Sequence, residues 1–256
     1  MSLITPARRR LHAASQWLAR LAYAFADPRE DDSHSALLWR EGTLETDALG
    51  TAGPAQLDAV TLALTLAGRT VPLADLDERQ RHDAVIALLA MAGLDGTRLE
   101  VALPWSGEAP DADVEAERAL SPKAVQSLAI LYEDASRALT ALADASAHAS
   151  PVRLWPHHFD IATLITAADP FESVGVGLAP DDEHIDAAYW YVAPWPAAQA
   201  ASLPPAPAGW RWQRDGFSAL VAPREDGHAG GMDAEQLQAV LAMARQASPG
   251  QQGGDA

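Results

Sequence analysis

Apolar side chains recur at helical spacing in four parts of the chain, and cap residues mark where these parts begin and end. Thr5-Pro6 and Ser121-Pro122 each place a cap residue before a proline, which is typical of a first helical turn. Gly93 follows another periodic segment, where a left-handed C-terminal cap is expected. The pattern predicts four amphipathic helices, over residues 5–26, 75–92, 121–145 and 233–247.

Between these helices, apolar and polar side chains alternate, as they do in strands with one face toward solvent. From residue 57 to residue 66, for example, Val60, Leu62 and Leu64 alternate with Ala or Thr. Asp215-Gly216, a favoured hairpin turn, lies between two apolar runs. The predicted strands cover residues 35–40, 43–49, 57–66, 70–73, 97–103, 152–163, 173–178, 188–193, 209–213 and 217–222.

Runs of strands separated by single helices, without strict alternation, favour the α+β class with mostly antiparallel sheets. A doubly wound parallel fold is the alternative. A chain of 256 residues can bury a full core. We expect one domain over residues 1–247, with an exposed acidic loop at 104–120, and a disordered Gly/Gln-rich tail at 248–256.

The charge balance limits the partners. The chain has 35 acidic and 18 basic residues, a formal net charge of -17. Such a surface repels phosphate backbones and anionic lipids, so neither nucleic acid nor membrane is an expected partner. No segment approaches the roughly 20 apolar residues that span a bilayer, and no signal peptide is recognisable, so we expect a soluble, cytoplasmic protein. The pattern predicts no oligomeric state.

Several kinds of chemistry lack their sequence signatures. The chain contains no cysteine, which excludes disulfides, thiolate metal sites and a cysteine nucleophile. It also lacks the phosphate loop of NTPases, the dinucleotide fingerprint, the His-Glu-x-x-His zinc motif and the Gly-x-Ser-x-Gly nucleophile motif. Most enzyme classes that a single sequence can reveal are therefore removed.

The segment 154–160, Leu-Trp-Pro-His-His-Phe-Asp, concentrates the reactive side chains. If it belongs to a strand over 152–163, His158 and Asp160 project from one face, and Trp155, His157 and Phe159 project from the other. A histidine beside a carboxylate can transfer protons, or the two can bind one metal. His158 and Asp160 are therefore the catalytic candidates; the alternative is a structural hydrogen-bonded pair.

A metal site needs three or four protein ligands. The acidic turn at 181–184 can supply the rest, since adjacent strands commonly pair. The candidate ligands for a divalent metal are then His158, Asp160, Asp182 and His184. The alternative is that the acidic turn is simply solvated.

Aromatic residues suggest a second kind of site. The chain has 8 Trp against 4 Phe, and several lie on strands from which they can line a small-molecule pocket. The candidate ligand-binding residues are Trp155, Tyr189, Tyr191 and Trp195. The alternative is that these rings belong to the core.

A family resemblance rests on the same residues. The run Leu154-Trp155-Pro156-x-His158-Phe159-Asp160, the acidic turn and Tyr189-Trp190-Tyr191-Val192-x-Pro194-Trp195 resemble an uncharacterised bacterial family, domain of unknown function 5996. The resemblance covers residues 10–225 and implies no activity or cofactor. It favours Asp160 over the two histidines as a site residue, because members of the broader group keep Phe-Asp where small residues replace the histidines.

Three functions remain open. The first is a small-molecule-binding or accessory protein with an aromatic, acid-lined pocket for a neutral or cationic ligand. The second is a metal-dependent hydrolase or oxygenase that uses His158, Asp160 and an acidic turn residue. The third is an interaction module without chemistry.

Overall fold

The structure is a computed structural model that describes residues 5–100, 103, 105, 121–166, 173–196, 203–224 and 232–246. Within these residues it contains four α-helices and two antiparallel sheets, one of five and one of six strands. The predicted α+β class is confirmed. None of the described helices has the length and apolarity to cross a membrane. The predicted tail at 248–256 lies outside the described residues.

The chain divides into two compact units. The N-terminal unit consists of residues 3–133 and 153–159, and the C-terminal unit consists of residues 1–2, 134–152 and 160–256. The single domain expected over residues 1–247 stays a prediction.

The N-terminal unit packs a long helix on an antiparallel meander. The elements are α1 (Thr5–Phe25), β1 (Leu38–Arg40), β2 (Thr43–Ala48), β3 (Pro54–Asp58), β4 (Ala63–Leu66), β5 (Arg69–Pro72), α2 (Glu78–Met91) and β6 (Arg153–Trp155). The sheet order is β1-β2-β3-β4-β5. Leu44, Leu57 and Leu64, from three neighbouring strands, are fully buried, and helix α1 packs on β2 and β3.

The strand predicted over residues 57–66 is wrong, because a turn divides it into β3 and β4. One carboxylate oxygen of Asp58, Oδ1, accepts hydrogen bonds from the backbone N–H groups of Val60 (3.0 Å) and Thr61 (2.7 Å). Leu62 takes a positive φ of 54°, which non-glycine residues rarely adopt. The alternating pattern continues through this turn and therefore hides it.

The strand predicted over residues 97–103 is also wrong over its first part, where residues Gly96–Glu100 form a short 3-10 helix. Asp95 starts it by accepting hydrogen bonds from the backbone N–H (3.0 Å) and the hydroxyl (2.8 Å) of Thr97. A side chain that bonds the backbone two residues ahead favours a turn over a strand. The predicted loop at 104–120 lies outside the described residues except for Trp105.

The C-terminal unit holds five strands of the larger sheet and two helices. The elements are α3 (Pro122–Asp144, which belongs to this unit from Asp134 onward), β7 (Asp160–Thr166), β8 (Ser173–Ala179), β9 (Tyr189–Trp195), β10 (Arg211–Gln213), β11 (Ala219–Pro223) and α4 (Ala234–Gln246). The strand order is β10-β11-β9-β8-β7. Helix α4 packs on β8 and β9.

The two faces of this sheet differ in chemistry. One face is apolar and buried, with Val176 opposite Val192 and Leu178 opposite Trp190. The other face, which we call the tyrosine face, carries Asp160, Gly175, Gly177, Tyr189, Tyr191, Ala193 and Trp195. It is covered at the Tyr189 end and becomes exposed toward Trp195.

Candidate functional site

The segment predicted as one strand over residues 152–163 contains a turn. Strand β6 ends at Trp155, residues 156–159 turn, and β7 begins at Asp160. The N–H of Phe159 donates to the carbonyl of Trp155 at 2.7 Å, and Phe159 has a φ of 58°. Pro156 has no N–H to give to a ladder, so it does not continue the strand. The assignment of His158 and Asp160 to one strand face is therefore wrong.

Buried side chains hold this turn within the N-terminal unit. The ring of Phe159 is fully buried, stacks on His12 at 4.7 Å between centroids, and meets the edge of Tyr132 at 5.6 Å. The Tyr132 hydroxyl donates to the carbonyl of Phe159 at 2.7 Å. At the other end, the carbonyl of Pro156 lies 2.8 Å from Nε2 of His12 and accepts from Gln16 at 2.7 Å. Tertiary contacts thus stabilise the left-handed backbone of Phe159.

His12 is a neutral member of this packing. Its Nε2 faces a carbonyl, so this nitrogen carries the proton, and its Nδ1 lies 3.4 Å from the guanidinium of Arg8. Burial lowers the pKa of His12 to about 4, and the charge of Arg8 adds to this effect. The sequence did not single out His12, because only tertiary structure brings it to Phe159.

The depressed pKa of His12 predicts a pH-dependent stability. The unfolded imidazole, with a pKa of 6.5, takes up a proton that the folded one refuses until about pH 4. The free energy of unfolding therefore falls with pH between the two pKa values. His12 contributes a loss of about 2 kcal/mol between about pH 7 and about pH 5. Urea unfolding of the wild type and of His12→Gln at both pH values measures it. A stability difference between the two proteins that is the same at both pH values would contradict the prediction.

His157 and His158 lie on the same turn but in different environments. His157 is half-buried between Trp105, 5.6 Å away between ring centroids, and Trp155, 6.0 Å away. Burial, and then the charge of His158, lower the pKa of His157 to about 4. His158 is exposed, with its ring 4.3 Å from that of His157. His157 is therefore uncharged near neutral pH.

In the C-terminal unit, Asp160 and Tyr191 are partners. The Tyr191 hydroxyl on β9 donates to Oδ2 of Asp160 on β7, and Gly177 of β8 lies between them, opposite Tyr191. A Cβ at Gly177 would lie 2.5 Å from the Tyr191 oxygen. Glycine is therefore required for the ring to cross β8. Burial, and then the negative charge of Asp160, raise the pKa of Tyr191 well above 10, so its hydroxyl stays a donor.

Asp182 organises the acidic turn. Its Oδ1 accepts from the backbone N–H groups of His184 (2.8 Å) and Ile185 (2.7 Å), and its Oδ2 accepts from the Tyr189 hydroxyl (2.5 Å). Burial, this hydrogen bond and the charges of Asp182, Asp160 and Asp181 all raise the pKa of Tyr189. Every charge that shifts this pKa is negative. The covered end of the tyrosine face is thus electronegative.

Replacing Asp182 with Ala removes three hydrogen bonds to a charged acceptor. We expect the free energy of unfolding to fall by about 2–3 kcal/mol. Asp182→Asn is the matched control; it keeps the shape and one carbonyl acceptor, so the loss falls below about 1 kcal/mol. Urea denaturation followed by circular dichroism measures both. An alanine variant as stable as the wild type would show that the turn does not depend on this side chain.

His184 packs on the turn between β10 and β11. Its ring stands 5.9 Å from that of Phe217 and covers Gly216 so closely that a Cβ there would collide with the imidazole. Its Nε2 lies 3.4 Å from a carboxylate oxygen of Glu183. The contacts of His184 therefore indicate a structural role, in which the ring packs against the β10–β11 turn.

The predicted metal ligands are divided between the units. His158 belongs to the N-terminal unit, whereas Asp160, Asp182 and His184 belong to the C-terminal unit. Among the residues that the structure describes, no group of three or more His, Asp or Glu could hold a metal ion. Both oxygens of Asp182 already accept hydrogen bonds. The divalent metal stays a prediction.

The predicted ligand-binding residues are divided in the same way. Trp155 lies beside His157 in the N-terminal unit, and Tyr189, Tyr191 and Trp195 share the tyrosine face. Tyr189 is buried, Tyr191 is half-buried and Trp195 is 65% exposed. Of these three, Tyr191 and Trp195 are therefore the ones that a ligand can reach.

No family model, curated protein or solved structure matches the chain. The likeness to domain of unknown function 5996 therefore stays a resemblance.

Proposed function

We propose that the protein binds a small organic cation on the open part of the tyrosine face. The observation that carries this proposal is a row of aromatic side chains whose covered end lies near carboxylates. Trp195 is exposed and Tyr191 is half-buried, and Asp160, Asp181 and Asp182 act together on Tyr189. Aromatic rings beside carboxylates attract cations and repel anions.

The floor of the site is small and open. Gly175 lies opposite Ala193 on one side and opposite Leu164 on the other. A Cβ at Gly175 would meet only the Ala193 carbonyl at 3.8 Å and Cε2 of Tyr191 at 3.9 Å among the described residues. Leu164 is 47% exposed, and strands β7 and β9, two strands apart, are separated by roughly 10 Å. This width suits a compact ligand between an aliphatic and an aromatic wall.

Catalysis by a metal is less well supported by the same residues. Asp182 is occupied by the turn and Tyr189, and His184 packs on Gly216. The phenols of Tyr189 and Tyr191 keep their protons, since burial and neighbouring carboxylates raise each pKa. Neither phenol is therefore available as a base near neutral pH, which favours a binding role over catalysis.

Replacing Trp195 with Leu tests the cation site without disturbing the core, because this ring is 65% exposed. Leucine keeps the apolar contact but removes the aromatic face, so we expect tetramethylammonium to bind about tenfold more weakly. NMR titration at constant ionic strength measures the affinity. Met91→Ala, which changes a side chain 54% exposed in the other unit, is the control and keeps wild-type affinity. Equal affinities in Trp195→Leu and the wild type would contradict the proposal.

A further inference from the structure

The N-terminal unit contains a second feature that calls for a ligand. Nδ1 of His157 is buried and has no hydrogen-bond partner among the described residues. A buried polar atom without a partner destabilises the fold, and few such atoms survive in folded proteins. This atom lies in a cluster of aromatic side chains, Trp105, Trp155, His157 and His158, which we call the indole–imidazole cluster.

The cluster is assembled by the Pro156 turn and is held firmly. Gln16 of α1 donates to the carbonyl of Pro156 at 2.7 Å and accepts from the indole N–H of Trp105 at 3.2 Å. Trp105 is inclined to the ring of His157 by 40°, and Trp155 by 80°. Trp105 and Trp155 are both half-buried. Gln16 therefore orients Trp105, and both indoles keep a surface that solvent reaches.

The uncharged imidazole and the flat indole surfaces of the cluster favour a particular kind of ligand. His157 is uncharged near neutral pH because burial lowers its pKa to about 4, so it offers a hydrogen bond and no charge. The indoles offer flat apolar surfaces, which favour offset stacking of another ring at 4.5–7 Å between centroids. The exposed ring of His158 lies 4.3 Å from that of His157 and is inclined to it by 51°, so it covers one side of the His157 imidazole. Exposed side chains change rotamer within nanoseconds, so His158 is the ring that a ligand replaces.

We propose that the indole–imidazole cluster binds a planar, uncharged heteroaromatic compound that stacks on the tryptophans, displaces the ring of His158 and hydrogen-bonds to Nδ1 of His157. This site is distinct from the cation site, because every residue in it belongs to the N-terminal unit. The hydrogen bond removes the cost of the unpartnered nitrogen. A ligand of the same shape without a hydrogen-bonding group leaves that cost in place.

Benzimidazole and 1-methylindole test the proposal. Benzimidazole has both a donor and an acceptor, so it can pair with either tautomer of His157, whereas 1-methylindole has the same shape and neither group. We expect benzimidazole to bind at least tenfold more tightly and to shift the ring ¹⁵N resonances of His157 in histidine-labelled protein. Equal affinities, or unchanged His157 resonances with benzimidazole at saturation, overturn the proposal.

Two variants separate a ligand role from a structural one. His157→Phe keeps the ring and removes the nitrogen, so it abolishes the preference for benzimidazole while leaving the midpoint of urea unfolding equal or higher. His158→Ala uncovers this side of the His157 imidazole and binds benzimidazole at least as tightly as the wild type. A lower unfolding midpoint in His157→Phe shows a structural hydrogen bond and overturns the proposal, as does weaker binding in His158→Ala. If His157→Phe does not fold, His157→Gln, which keeps polar atoms, takes its place. The affinities of this variant for benzimidazole and 1-methylindole are then compared in the same way.

Discussion

Replacing Phe159 with Ala will lower the free energy of unfolding by about 3–5 kcal/mol. The ring is fully buried and contacts His12 and Tyr132, so its removal leaves a cavity between these two side chains. The loss is a large part of the roughly 5–15 kcal/mol that stabilises a typical domain. Urea denaturation monitored by circular dichroism measures it.

The backbone of Phe159 supplies the matched control. Its φ of 58° is a left-handed conformation that costs a non-glycine residue about 1 kcal/mol or more. Phe159→Gly should therefore be as stable as Phe159→Ala or more stable, the reverse of the usual order. A loss below about 1 kcal/mol in Phe159→Ala would mean that the turn is not held by this ring.

Replacing Gly177 with Ala will cost about 3 kcal/mol or more. The added Cβ would lie 2.5 Å from the Tyr191 oxygen and 2.7 Å from the carbonyl of Ile161. The first contact displaces the Tyr191 hydroxyl from Asp160, and the second meets backbone, which cannot rotate away. Overpacking costs 1–3 kcal/mol, and a lost hydrogen bond to a charged group adds to it. Urea denaturation measures the loss.

Gly175 gives the control on the same strand and the same face. A Cβ there would make only ordinary contacts at 3.8 and 3.9 Å, so Gly175→Ala should unfold within about 0.5 kcal/mol of the wild type. The difference in free energy of unfolding between Gly177→Ala and Gly175→Ala therefore measures how much the passage of the Tyr191 ring over β8 contributes to stability. Equal losses at the two positions would show that the crossing contributes nothing.

The helices were predictable because their signals are local. Asp77, for example, accepts from the N–H of Gln80, whose side chain accepts from the N–H of Asp77, a reciprocal cap that a sequence can encode in four residues. The hairpin around Asp215-Gly216 is local in the same way, and β10 and β11 pair across it.

The turns that divide the strands predicted over residues 57–66 and 152–163 were not predictable, because they have no local sequence signal. Their turns place Leu62 and Phe159 at positive φ, and neither residue type signals such a conformation. Phe159 is held there by His12 and Tyr132, which are distant in sequence. A period-two pattern shows only that apolar and polar residues alternate. The alternation can continue through a turn, so it does not reveal where one strand ends and the next begins.

The sequence identified residues of the site, but it did not identify which of them are hydrogen-bonded to each other. Tyr191 and Asp160 were both candidates, yet their hydrogen bond depends on the register that puts Gly177 between them. Asp182 was a candidate metal ligand because an acidic turn has the right oxygens. Its partners, the N–H groups of His184 and Ile185 and the hydroxyl of Tyr189, are visible only in the folded chain.

A titration with a small organic cation tests the site on the tyrosine face. Uniformly ¹⁵N-labelled protein is titrated with tetramethylammonium and, separately, with tert-butyl alcohol, its uncharged counterpart of similar shape. We expect saturable shifts of the Trp195 indole N–H and of the Gly175 amide with the cation, and much weaker shifts with the alcohol. Unshifted resonances at both residues, or equal responses to the two compounds, would contradict the proposed cation site.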